Sequence, residues 1–140
     1  MKSSTQNQIQ LNPNETEVAQ IMVKNLTTAP SSQPLEQLIT LFEDIAFHHV
    51  PVTDDGKLVG ILSDRDILRC LASSNEKSAI TAADIMSAEP ITVVPSTTVE
   101  IASILLLENK ISCLPVVSEL DELVGILTWK DLLRFLVYPA

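Results

Sequence analysis

The chain repeats itself. Residues 58–69 read LVGILSDRDILR and residues 123–134 read LVGILTWKDLLR. Upstream, Pro51-Val52 aligns with Pro115-Val116, and Ile21-Met22 aligns with Ile85-Met86. The offset is 64 at Met22/Met86 and at Pro51/Pro115, and 65 at Gly60/Gly125, so one residue is inserted in the second turn. A repeat unit of about 60 residues is longer than most solenoid repeats. Two copies in 140 residues predict a pseudo-twofold domain rather than an array.

Each copy has the same order of elements. Ile-Met opens it, and a short strand follows, Leu26–Ala29 or Ile91–Val94. A helix comes next. In the first copy Ser32 and Pro34 precede Leu35, Leu38, Ile39, Phe42 and Ile45, which keep helical spacing. In the second, Thr97-Thr98-Val99-Glu100 is a capping-box pattern. A hairpin is expected from His49–Thr53 and Leu58–Leu62, turning on Asp54-Asp55-Gly56-Lys57, and again from Cys113–Ser118 and Leu123–Leu127. A last helix starts at Ser63 or Thr128. The reading is α+β, with β-α-β-β-α twice. The segments are a polar tail over 1–16, copies over 17–72 and 80–138, and a polar linker over 73–79.

Composition excludes several classes. Apolar residues make up 46% of the chain and charged residues 19%, which suits a globular domain. A net charge of −9 argues against direct nucleic-acid binding, which needs a basic surface. Cys70 and Cys113 have no paired-ligand spacing, so a reduced, cytoplasmic chain without a metal site is expected. The N-terminus is too polar for a signal peptide, and no apolar run approaches the roughly 20 residues of a membrane span. The three glycines, Gly56, Gly60 and Gly125, lie in or beside the hairpins, so no phosphate loop is available and an enzyme is not expected.

Ile-Met, a Pro-Val strand and Gly-Ile-Leu-Ser/Thr-x-x-Asp before a helix resemble the CBS motif, named for cystathionine β-synthase. Two tandem copies resemble a Bateman module, and the resemblance covers about residues 17–138. It implies two packed motifs, two clefts related by the pseudo-twofold, and AMP, ADP, ATP or an S-adenosyl compound as a regulatory ligand, with no required cofactor.

The resemblance also implies roles for residues. Ser63 with Asp66 and Thr128 with Asp131 are the ribose-binding elements. Their partners come from the other motif: Thr27, His48 and His49 with Thr128 and Asp131, and Ile91, Ser112 and Cys113 with Ser63 and Asp66. Thr27 and Ile91 both lie 24 residues before their prolines. Arg65 and Lys130 precede the two aspartates, where a cation can reach the phosphates. The cleft of Thr27, His48, His49, Thr128 and Asp131, with Arg65 near the phosphates, is expected to work better, because its flanking residues can carry positive charge. For each residue a plainer role stands beside this one. Ser/Thr-x-x-Asp is a helix cap, and Arg65, Lys130, Arg69 and Arg134 are ordinary surface charges. Cys113 is a small buried residue.

Two classes of function follow: a stand-alone nucleotide sensor acting on an unknown target protein, or a ligand-free interaction module. A homodimer is expected in either case, from apolar residues such as Leu35, Leu38, Leu105 and Leu106 that exceed what one core needs, and Trp129 at a helix start suggests a packing surface.

Overall fold

The computed structural model describes residues 14–44, 48–73 and 79–138. The contacts divide them into two units. One holds residues 26–91 and 119–123, and the other holds 14–25, 92–118 and 124–138. Ile45 and most of the 73–79 linker lie outside the described residues.

The first unit is built on a hairpin. Strand β1 (His49–Asp54) pairs antiparallel with β2 (Lys57–Ser63), with Asp54 opposite Lys57 and His49 opposite Ser63. Asp55 (φ 53°) and Gly56 (φ 79°) form the two-residue turn, the left-handed pair this connection demands. A bulge follows at Val52/Thr53. Asp54 accepts from the Ser31 amide and hydroxyl at 3.0 and 2.7 Å, tying the preceding loop to the hairpin. Helix α1 (Leu35–Asp44) precedes the hairpin, and α2 (Asp64–Ala72) follows it. Beyond them, α3 (Ala82–Ile85) leads into β3 (Ser87–Ala88), which pairs antiparallel with β2. Leu38, Val50, Val52, Leu62 and Ala82 form its core, each fully buried.

The second unit repeats this plan. Helix α4 (Val99–Asn109) leads to a β4 (Cys113–Val117)–β5 (Leu123–Thr128) hairpin, and α5 (Trp129–Val137) closes it. Val18, Leu114, Val116 and Leu127 are at the centre of its core. The fold reaches back to Thr16, which is buried and whose carbonyl accepts the Val99 amide. Val23 bridges Ile126 of β5, as β3 pairs with β2 in the first unit.

Three expectations change. The first strand of each copy shrinks to a single parallel bridge, Ala29 to Val52 and Val93 to Val116. Pro30 and Pro95 follow these residues, and a proline has no N–H to extend a ladder. The cap of α4 is Thr98, not Thr97: the Thr98 hydroxyl accepts the Ile101 amide, while the Thr97 hydroxyl accepts the Val94 amide. Finally, Leu35, Leu38 and Leu106 are core residues and Leu105 is half-buried, so they are no interface. Exposed apolar residues include Ile101, Ile104 and Leu107 on α4, Leu133, Leu136 and Val137 on α5, and Leu68 and Leu71 on α2.

Candidate functional site

Both hairpins end the same way. Ser63 is the last residue of β2 and the cap of α2, and Thr128 is the last of β5 and the cap of α5. The pleat carries the chain into extended dihedrals at each cap, and the next residue turns into the helix. The Ser63 hydroxyl accepts the Asp66 amide at 3.1 Å, and Asp66 Oδ2 accepts the Ser63 amide at 2.8 Å. In the second unit the Thr128 hydroxyl accepts the Asp131 amide at 3.2 Å. Asp131 Oδ2 accepts both the Thr128 amide at 2.8 Å and its hydroxyl at 2.9 Å. The capping role is therefore real in both copies. In each copy the cap bonds to the carboxylate all fall on Oδ2.

Oδ1 meets an arginine on the next helical turn. Arg69 Nη1 lies 3.2 Å from Asp66 Oδ1, and Arg134 Nη1 lies 3.6 Å from Asp131 Oδ1. The aspartate side chains are 15% and 8% exposed, whereas the arginines are 74% and 69% exposed. Asp131 is thus the more enclosed acid and the one gripped by more donors.

The remaining sequence-derived residues fall into place unit by unit. Thr27, His48, His49, Ser63, Arg65, Asp66 and Ile91 all belong to the first unit. His48 is exposed, its Nδ1 lies 2.8 Å from Asp64 Oδ2, and its carbonyl accepts the Asp64 amide at 3.1 Å. The sequence signal for this partnership is local: His48 directly precedes β1, and β2, the partner of β1, ends at Ser63, one residue before Asp64. His49 is half-buried, and burial pushes its imidazole below the ordinary range against the pull of Asp64. A charged His49 at neutral pH is therefore disfavoured. Thr27 is half-buried, while Arg65 and Ile91 are exposed.

Ser112, Cys113, Thr128, Lys130 and Asp131 belong to the second unit. The Ser112 carbonyl accepts the Trp129 amide at 3.1 Å, mirroring His48 and Asp64. Cys113 is buried, and burial pushes its thiol up to about 12, so it is a packing residue rather than a nucleophile. Lys130 is exposed, with its ammonium 6.0 Å from the centroid of the Trp129 ring, at the outer limit of a cation–π contact. Among the described residues no cluster of three or more His, Cys, Asp or Glu could hold a metal ion, and no helix is long and apolar enough to cross a membrane.

A family model described as "CBS domain" matches residues 18–73 and 82–138. An inosine-5′-monophosphate dehydrogenase of Korarchaeum cryptofilum is 34% identical over 110 residues, 79% of this chain but 22% of that enzyme. The chain thus spans under a quarter of that relative's length. CBSX2 of Arabidopsis thaliana, solved in complex with AMP, is 32% identical with a TM-score of 0.77, over 87% of this chain and 96% of that one. The CBS domain pair of protein MJ0100, solved with 5′-methylthioadenosine and S-adenosyl-L-methionine, is 33% identical with a TM-score of 0.78, over 86% and 99%.

Proposed function

This chain belongs to the CBS-domain family, and from that premise we propose that it is a cytoplasmic regulatory module that binds an adenine nucleotide, AMP, ADP or ATP. The observation that carries the reading is the twice-built aspartate. Each carboxylate is fixed by a capping box through Oδ2, and its other oxygen, Oδ1, lies within 3.6 Å of an exposed arginine. A fixed carboxylate can accept hydrogen bonds from the two ribose hydroxyls. The helix terminus beside it favours the anionic end of a nucleotide. The AMP-bound and S-adenosyl-bound relatives support the same ligand class.

Asp131 with Thr128 is the stronger ribose element and Asp66 with Ser63 the weaker, since Asp131 is more buried and held by one more donor. Arg65 and Lys130 are the cations assigned to phosphate, while Thr27, His48, His49, Ile91, Ser112 and Cys113 are assigned to the base, the phosphates and their surroundings. The role is regulatory rather than catalytic: the ligand shifts the balance between two states by binding one more tightly, and a target protein reads the change. The module works as a homodimer through the exposed apolar faces of α4 and α5.

Native mass spectrometry of freshly purified protein tests the ligand class. A retained mass matching an adenine nucleotide is expected. A bare chain that also gains no mass with added AMP, ADP or ATP would favour the ligand-free interaction module.

A further inference from the structure

We propose that Arg69 and Arg134 are positioning residues that set the plane of the Asp66 and Asp131 carboxylates for recognition of the ribose hydroxyls. The inference rests on the nucleotide-binding reading above. Both copies carry Asp-x-x-Arg, as Asp66-Ile67-Leu68-Arg69 and Asp131-Leu132-Leu133-Arg134. In each, the capping box holds Oδ2 and the arginine meets Oδ1. The cap bonds to Oδ2 restrain the last torsion of each carboxylate, which is otherwise broad. The guanidinium beside the second oxygen narrows it further, through a hydrogen bond at Asp66 (3.2 Å) and through charge alone at Asp131 (3.6 Å). The arginines are mostly exposed, so as surface pairs they contribute little to stability. A ribose diol needs the carboxylate in a set plane, because its 2′ and 3′ hydroxyls approach together. Arg69 and Arg134 therefore act on ribose through the aspartate, with no contact to the phosphates required.

The test compares AMP with 2′-deoxy-AMP by calorimetric titration of wild type, Arg69→Ala, Arg134→Ala and Arg134→Lys. Wild type should prefer AMP. The alanine variant at the occupied site should lose that preference by roughly three- to tenfold, the scale of one hydrogen bond. Its thermal midpoint should stay near that of wild type, and Arg134→Lys, which keeps charge and a donor, should restore most of the ratio. If both alanine variants weaken AMP and 2′-deoxy-AMP equally, the arginines touch phosphate or only the helix surface, and this inference is overturned while nucleotide binding stands. If wild type binds neither compound, the nucleotide reading fails and takes this inference with it.

Discussion

Met22 lies against Gly125: a Cβ built on that glycine would stand 2.5 Å from the methionine Sδ and 2.9 Å from its Cγ. Met86 stands in the same relation to Gly60. The opening Ile-Met of each copy thus closes over the hairpin of the other, which is why Val23 reaches β5 and Ser87–Ala88 reaches β2. Gly125→Ala should destabilise the fold by about 1–3 kcal/mol, toward the lower end because a methionine side chain can shift. Met22→Ala in the same chain should recover part of the loss, and urea unfolding of the double-mutant cycle measures that coupling. Strictly additive losses would mean the two residues do not meet.

His49 makes stability depend on pH. Its imidazole is lowered from 6.5 by burial, so the folded chain takes up this proton less readily than the unfolded chain. Above that value both states are neutral and the group contributes nothing. Below it the unfolded chain protonates first, and stability falls as pH falls. Asp64 acts in a lower window. Burial raises its carboxyl, but the His48 hydrogen bond and charge outweigh this and leave it below 3.8. Its contribution is present above 3.8 and is lost only as pH drops beneath it. Urea midpoints should therefore decline from about pH 7 to pH 5, and His49→Gln should flatten the decline. An unchanged slope in that variant would place the titrating group elsewhere.

The apolar faces of α4 and α5 carry the assembly prediction. Leu107 and Leu136 are 78% and 64% exposed, and exposed apolar residues grouped in a patch mark an interaction surface. Light scattering at micromolar concentration should give about twice the 15.3 kDa chain mass. Leu107→Asp should return it to one chain without unfolding it. A wild-type monomer would contradict the dimer.

Local chemistry was legible in the sequence and distant contact was not. Asp54-Asp55-Gly56-Lys57 announces its turn because only certain residues adopt two left-handed dihedrals. Ser63 and Thr128 announce their caps because hydroxyl and acid sit three residues apart. The pairing of Met22 with Gly125 spans about a hundred residues and leaves no local mark. In α4, apolar residues lie on the buried and the exposed side alike, so spacing does not separate the core residue Leu106 from the exposed Leu107. In the site, spacing names the aspartates only as partners in a cap, and the resemblance to the CBS motif is what names them for ribose. The oxygen each uses for its cap, the arginine at the other, and the burial that disfavours charge on His49 all depend on packing.

Calorimetric titration of AMP and ATP into wild type, Asp131→Asn and Asp66→Asn tests the central claim most directly. Asparagine keeps an acceptor for the cap, so the helices should persist while the charge is lost. Losing a charge-assisted hydrogen bond costs about 1.5–3 kcal/mol, or roughly ten- to a hundredfold in affinity. The account predicts saturable binding to wild type, a loss of that size in Asp131→Asn and a smaller one in Asp66→Asn. Wild-type affinity in both variants would reduce the two aspartates to helix caps and contradict the account.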